Sequence, residues 1–189
     1  MILYKSIPEN KISNDFKFAK NIWYKVDSSL VICSNGFHAS ENIINAMNFV
    51  NCGWIAKVEV RGESIIQYDK QCWSEMRIIE WHKWTKKDSI SLAIYAAELV
   101  LNNFEKKYPD DKRPREAIGA AKEVLKNDIE KNRSAAWSAA RSAAESATWS
   151  AESAESAAWS AAWSADSAAA SAAILQKCHN FIIKRKFNL

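Results

Sequence analysis

Hydrophobic and polar positions follow two different periods along this chain of 189 residues. In the first half the period is that of strands. Ile2–Lys5 and Leu30–Cys33 are short apolar runs with β-branched residues. Trp54, Ala56, Val58 and Val60 alternate with Ile55, Lys57 and Glu59, and Arg61-Gly62-Glu63 reads as the turn that follows. Ser64–Tyr68 and Met76–Trp84 read as further strands, and strict alternation along the last puts Arg77 and Trp81 on the face opposite Met76, Glu80 and His82. Between them, Ser40–Asn51 opens on a Ser cap and carries Ile43, Ile44, Met47 and Val50 at helical spacing.

From Ser89 the period becomes helical. Ile90, Ala93, Ile94, Ala97, Leu101 and Phe104 mark one helix face over Ser89–Lys107, which ends at Tyr108-Pro109-Asp110-Asp111. Pro114 at a first-turn position starts the next helix, with Ala117, Ile118, Ala121 and Leu125 along one side. A polar joint at Lys126–Arg133 leads into a tract of alanine, serine and tryptophan. Eleven serines from Ser134 to Ser171 recur every three or four residues, a mean of about 3.7, close to one helical turn. Alanine is the strongest helix former, and Arg133–Ala173 has neither Gly nor Pro, so this is a helix pattern and not a linker.

On a wheel of about 100° per residue, Trp137, Trp149, Trp159 and Trp163 share one side with Arg141, Glu145, Glu152, Glu155 and Asp166. The serines occupy the next arc and alanine the rest. As one rod, Ser134–Cys178 would be about 68 Å long, against a diameter of about 40 Å for a compact chain of this length. The tract therefore breaks, at the slipped serine spacing between Ser150 and Ser156, or packs in an oligomer. The expected architecture is α+β: a small, mainly antiparallel sheet domain over residues 1–87, then an alanine-rich helical bundle over residues 88–189.

Composition narrows the function classes. The net charge of +4 is too small to imply a nucleic-acid polymer, and the Lys184–Lys186 cluster reads as a solvated tail. No stretch of eighteen apolar residues spans a membrane, and Met1–Ser6 lacks the pattern of a secretory signal. Cys33, Cys52, Cys72 and Cys178 have no CxxC spacing and read as reduced, mostly buried thiols of a cytoplasmic protein. Nine tryptophans are the outlying count, and indoles are enriched at binding surfaces.

Two segments carry resemblances. Ala97-Glu98-Leu99-Val100-Leu101-Asn102-Asn103-Phe104-Glu105, followed by Pro109-Asp110-Asp111-Lys112-Arg113-Pro114-Arg115-Glu116-Ala117-Ile118, resembles the helical immunity-protein family of bacterial polymorphic toxin systems, over about Ile90–Cys178. The resemblance implies a protein that neutralises a toxin or defence protein by direct contact. Serine and tryptophan fill turns of the tail where that family often has histidine, tyrosine or arginine. Cys33-Ser34-Asn35-Gly36-Phe37-His38-Ala39, with Val58-Glu59-Val60, is similar to uncharacterised domains of phages and prophages, which implies a setting in host counter-defence.

Candidate chemistry is of the binding kind. Arg113 and Arg115 stand at a helix start, where free N–H groups and the dipole favour an anion; equally, they can pair with Asp110, Asp111 or Glu116. Trp137, Trp149, Trp159 and Trp163, with Arg141, can stack a nucleobase beside a cation or fill the bundle core. Cys33 and His38 lack an orienting partner or a second ligand pair, which argues against a catalytic pair or a metal site. His38, after Gly36-Phe37, either bonds the turn or touches a ligand.

The reading is a non-catalytic phage or prophage counter-defence protein, without cofactor or metal, that sequesters a small anionic, nucleotide-type immune signal in the host cytoplasm; the alternative is the immunity-type contact protein. Two outcomes are expected. Light scattering should report a homo-oligomer through the alanine faces, and a mass of one chain across micromolar concentrations would contradict it. Treatment with a chelator should leave the melting temperature unchanged, whereas a marked drop would reveal a metal site.

Overall fold

The computed structural model describes residues 1–13, 15–48, 52–68, 70–136 and 168–188. The fold is α+β, with an antiparallel sheet followed by helices. The chain divides into two units, Met1–Thr85 with Ile182–Leu189, and Lys86–Phe181.

The sheet unit is built on β1 (Ile2–Ile7), β6 (Trp54–Ile66) and β7 (Gln71–Lys83), with the small strands β2 (Ile12–Ser13), β3 (Phe16–Lys17), β4 (Trp23–Lys25) and β5 (Phe37–Ala39) between them in sequence. The strand order is β1-β6-β7-β4, all antiparallel, and β5 also pairs with β7. One residue past β5, Ser40 exchanges both backbone hydrogen bonds with Tyr4 of β1, each at 2.9 Å. The segment thus ties one flank of the sheet to the other. Leu3, Ile7, Phe18, Phe37, Ala56, Val58, Val60, Met76 and Ile78 form the core on one face, with the rings of Phe16, Phe18, Tyr24 and Phe37 packed edge-on at 5.0–6.5 Å.

Several expectations are corrected. Arg61-Gly62-Glu63 is no turn: β6 runs on through it as a bulge, with Arg61 opposite Glu75 and Ser64 opposite Trp73. Gly62 takes φ +83°, and a Cβ there would lie 2.3 Å from Ser74 Oγ. Leu30–Cys33 is not a strand but a tight turn closed by Val31 and Asn35. A second irregularity sets Lys57 opposite Glu80 but Val58 opposite Ile78, which inserts Ile79. The alternation changes phase there. Arg77, Glu80 and His82 share a face, and Trp81 joins Met76 and Ile78 on the core side, where its ring meets Trp54 at 5.8 Å.

The helix α1 (Ile43–Met47) is shorter than its sequence pattern; residues 49–51 lie outside the described residues. Its cap is Asn42, whose side chain accepts from Ile44 N–H at 2.9 Å. Ser40, the expected cap, stands three residues before the helix, where its backbone continues the strand pairing to Tyr4.

In the helical unit, α2 (Lys86–Lys107) places Asp88 in its first turn and Lys106 and Lys107 in its last, as the helix dipole favours. The next helix, α3 (Arg113–Lys126), has Pro114 in its opening turn, and Lys122 to Glu98 ties it to α2 at 2.6 Å. Residues 130–136 are helical again. The proposed break near Ser150–Ser156 and the alanine faces of the tract lie outside the described residues. In α4 (Ala168–Phe187), the Phe181 ring stacks on Tyr95 at 4.4 Å within this unit.

The end of α4 is a finding of its own. Lys184–Lys186 is the last helical turn and not a tail, with Lys184 and Arg185 exposed as expected, and Ile182–Leu189 belongs to the sheet unit. Phe187 is buried there, edge-on to Tyr4 at 5.9 Å and to His82 at 5.1 Å, and Lys186 Nζ donates to the Lys83 carbonyl at 2.9 Å. Truncating a buried aromatic ring costs about 3–5 kcal/mol. Phe187→Ala should therefore lower the denaturant midpoint of the sheet unit, followed through the near-ultraviolet signal of its tryptophans; an unchanged midpoint would mean that the last turn is dispensable.

Candidate functional site

The sequence Ile2-Leu3-Tyr4-Lys5-Ser6-Ile7 alternates, and Leu3 and Ile7 point into the core. Lys5 lies between them at the same phase, opposite Ala56 of the core, so the strand forces an ammonium inward. It is only 6% exposed. Its Nζ donates to the His38 carbonyl at 2.9 Å and stands 5.9 Å from the centre of the Phe18 ring. An ammonium has three N–H donors. Among the described residues this is its one hydrogen bond, and no carboxylate pairs with it.

Burial disfavours the charged form and brings the pKa of Lys5 down from 10.5 to about 8, with Cys72 pulling weakly the other way. A displacement of that size corresponds to a penalty on the order of 3 kcal/mol for holding the charge at neutral pH. Buried lysines are rare unless paired. One held without a counter-charge on a strand of the core calls for a reason other than stability.

The space beside Lys5 supplies one. Lys5, His38, Ser40 and Lys70 line a cleft of about 30 Å³, with Ala39 and Ala46 as apolar walls. That volume holds about two water molecules. Three different parts of the sheet unit meet here: β1 brings Lys5, β5 and the residue after it bring His38 and Ser40, and the β6–β7 connection brings Lys70.

His38 is held by its turn. Its Nε2 accepts from Cys33 N–H at 2.9 Å, and the ring also bonds the Gly36 backbone. With Nε2 accepting, the neutral imidazole carries its proton on Nδ1. Burial lowers the His38 pKa most, the positive charges of Lys5 and Lys70 lower it further, and the Gly36 bond opposes them. The ring is thus a neutral brace for the Cys33–His38 loop, and the positive charge of the cleft comes from the lysines.

Gly36 makes this loop possible. It adopts φ +123°, and a Cβ would fall 2.4 Å from Cys72 Sγ and 2.9 Å from a methyl of Leu30. Cys33 also takes a positive φ, 65°, and is exposed, with Lys70 Nζ donating to its sulfur at 3.2 Å. The thiols therefore differ from the buried set expected: Cys72 and Cys178 are buried, Cys52 is half-buried and Cys33 is at the surface. Burial raises the pKa of Cys72 and takes that of Cys178 to about 11.

The other sequence candidates are placed as follows. Arg113 is bound in two-pronged fashion by Asp111, at 2.9 and 2.6 Å. Arg115 holds Glu105 of α2 in the same way, at 2.7 and 2.6 Å. These bonds lower the pKa of both half-buried carboxyl groups. The Arg113-Pro114-Arg115 motif thus fastens the α2–α3 turn, and Glu105 is a partner that sequence reading did not weigh. Trp137, Arg141, Trp149, Trp159 and Trp163 lie outside the described residues. Within the sheet unit, Lys5 and Lys70 line the cleft with His38. Among the described residues no group of three His, Cys, Asp or Glu side chains converges as a metal site, and no helix is long and apolar enough to cross a membrane.

No curated protein and no solved structure matches the chain. Residues 1–88, which include every residue of the Lys5 cleft, are similar to a family described as a domain of unknown function (DUF7666).

Proposed function

We propose that this chain is a non-catalytic binding protein that takes up a small ligand through an anionic group, and that the cleft at Lys5 is where that group is held. The observation that carries the reading is a lysine, 6% exposed, whose ammonium has no carboxylate partner among the described residues and which lines a cleft together with Lys70. An anion entering there supplies the missing counter-charge and accepts hydrogen bonds that the buried ammonium still has to give. A nucleotide-type immune signal, sequestered in the host cytoplasm by a phage or prophage counter-defence protein, is the form of this function that the sequence suggests. The cleft admits only the charged end of such a molecule. The remainder would lie outside it.

The immunity-type alternative, neutralisation of a toxin or defence protein by contact, has a separate observation in its favour. Ile66 and Tyr68 stand exposed at the far end of the long β6–β7 ribbon, as apolar side chains do at protein-binding surfaces.

The test of the anion reading is Lys5→Met, which keeps the side-chain length and removes the charge. It loses a charged-donor bond to the His38 carbonyl, worth about 1.5–3 kcal/mol, but relieves a burial penalty on the order of 3 kcal/mol. At pH 7 the variant should be as stable as the parent or more stable by up to about 1.5 kcal/mol while losing affinity for inorganic phosphate. The pH dependence has a definite sign. The folded pKa lies below the unfolded one, so between pH 8 and 10.5 the unfolded chain binds the extra proton and the parent gains stability as pH rises. The advantage of the variant should shrink over that window. His38, Lys70 and Cys72 are the titratable groups facing Lys5, and Arg115→Ala serves as the control that leaves phosphate binding unchanged. A destabilised variant with phosphate affinity intact would mean that Lys5 is a structural residue; neutralisation of a host protein abolished by Tyr68→Ala, without anion binding, would favour the contact reading.

A further inference from the structure

The cleft distinguishes between kinds of anion. We infer that its ligand enters by a terminal phosphate monoester, and not by a phosphodiester or a carboxylate; this rests on the anion-binding reading of the same cleft.

Charge is the first argument. Two of the lining residues are lysines, Lys5 and Lys70, and a monoester carries a charge near −2 at neutral pH, twice that of a diester or a carboxylate. Shape is the second. Ammonium groups are compact charges without the planar fork of a guanidinium, and planar carboxylates are best matched by forks. Arg113 and Arg115 hold Asp111 and Glu105 by such forks, while lysines hold other carboxylates as point charges, Lys86 reaching both oxygens of Asp128 at 3.3 and 3.4 Å. Among the described residues no arginine lines the cleft. Size is the third. About 30 Å³ accommodates oxygens of one tetrahedral group with a single ester link leading out, while a bridging phosphate has two substituents to place. Chain-terminal phosphates are therefore the fitting ligands, and cyclic or internal phosphodiesters are not.

The experiment is calorimetric titration of the full chain with phenyl phosphate, methyl phenyl phosphate and benzoate, which share a ring and differ in the anionic group. Phenyl phosphate should bind roughly tenfold or more tightly than either of the others, a difference readily measured by titration. Lys5→Met and Lys70→Gln should each weaken it several-fold. Lys70 is at the rim, so its variant keeps the test decisive if Lys5→Met does not fold. Equal affinity for the diester, a preference for benzoate, or undiminished binding by Lys70→Gln would overturn the monoester inference while leaving anion binding in place. Absence of heat with all three would instead remove the anion-binding reading itself.

Discussion

The pair of backbone hydrogen bonds between Ser40 and Tyr4 is the constraint on which the site depends. Strand β5 is three residues long and is held along β7. Carried one residue further, it reaches β1 and ties the two flanks of the sheet together. That link brings His38 beside Lys5, closes the apolar face over Phe37 and Ala39, and leaves a lysine on the inside of the closure. The loop leading into β5 must be tight to arrive there. Gly36, with its positive φ and no room for a Cβ, and the His38 ring bonding back to Cys33 N–H, are the features that make it so.

A core strand with lysine between leucine and isoleucine works against its own stability. Replacing a buried charge by an apolar side chain of similar length is commonly neutral or favourable. The arrangement at Lys5 is intelligible if the charge is kept for what it binds, since a preorganised ammonium in a dry site attracts an anion more strongly than one in water. The surface charges contrast with it. Arg61 with Glu75, Arg77 with Glu59, and Lys83 with Glu9 all have carboxylate partners on the sheet unit. They range from half-buried to exposed, and where solvent reaches them such pairs contribute little.

Much of the fold was legible from period alone. The long apolar runs of β1, β6 and β7 and the helices α2 and α3 carry their patterns openly, and Pro114 marks the start of α3 as helix chemistry requires. What strict alternation misses is irregularity. The bulge at Gly62 looks like a turn because Arg-Gly-Glu is turn-forming, and its tertiary role, to keep β6 in register with β7, is not a local property. The inserted Ile79 separates Trp81 from Arg77 and carries Trp81 to the core face, and it is missed for the same reason. The short strands β2 to β5 have too few residues for any period to register, yet β5 builds the site. Lys5 itself was within reach: a lysine at an inward phase between Leu3 and Ile7 is the anomaly that alternation exposes.

The arginines show why presence of a cation is a weaker guide than its availability. Arg113 and Arg115 have the chemistry of an anion site and stand at a helix start, but each fork is matched by a carboxylate of the same unit. An incoming anion would have to displace a partner already held by two hydrogen bonds at no translational cost. Under the proposed reading Lys5 has no such competitor among the described residues, and folding has already met most of the cost of burying its charge. An incoming anion would add a counter-charge and displace only the few waters the cleft can hold. The arginines carry the visible motif, whereas the lysine carries a charge that no carboxylate matches among the described residues.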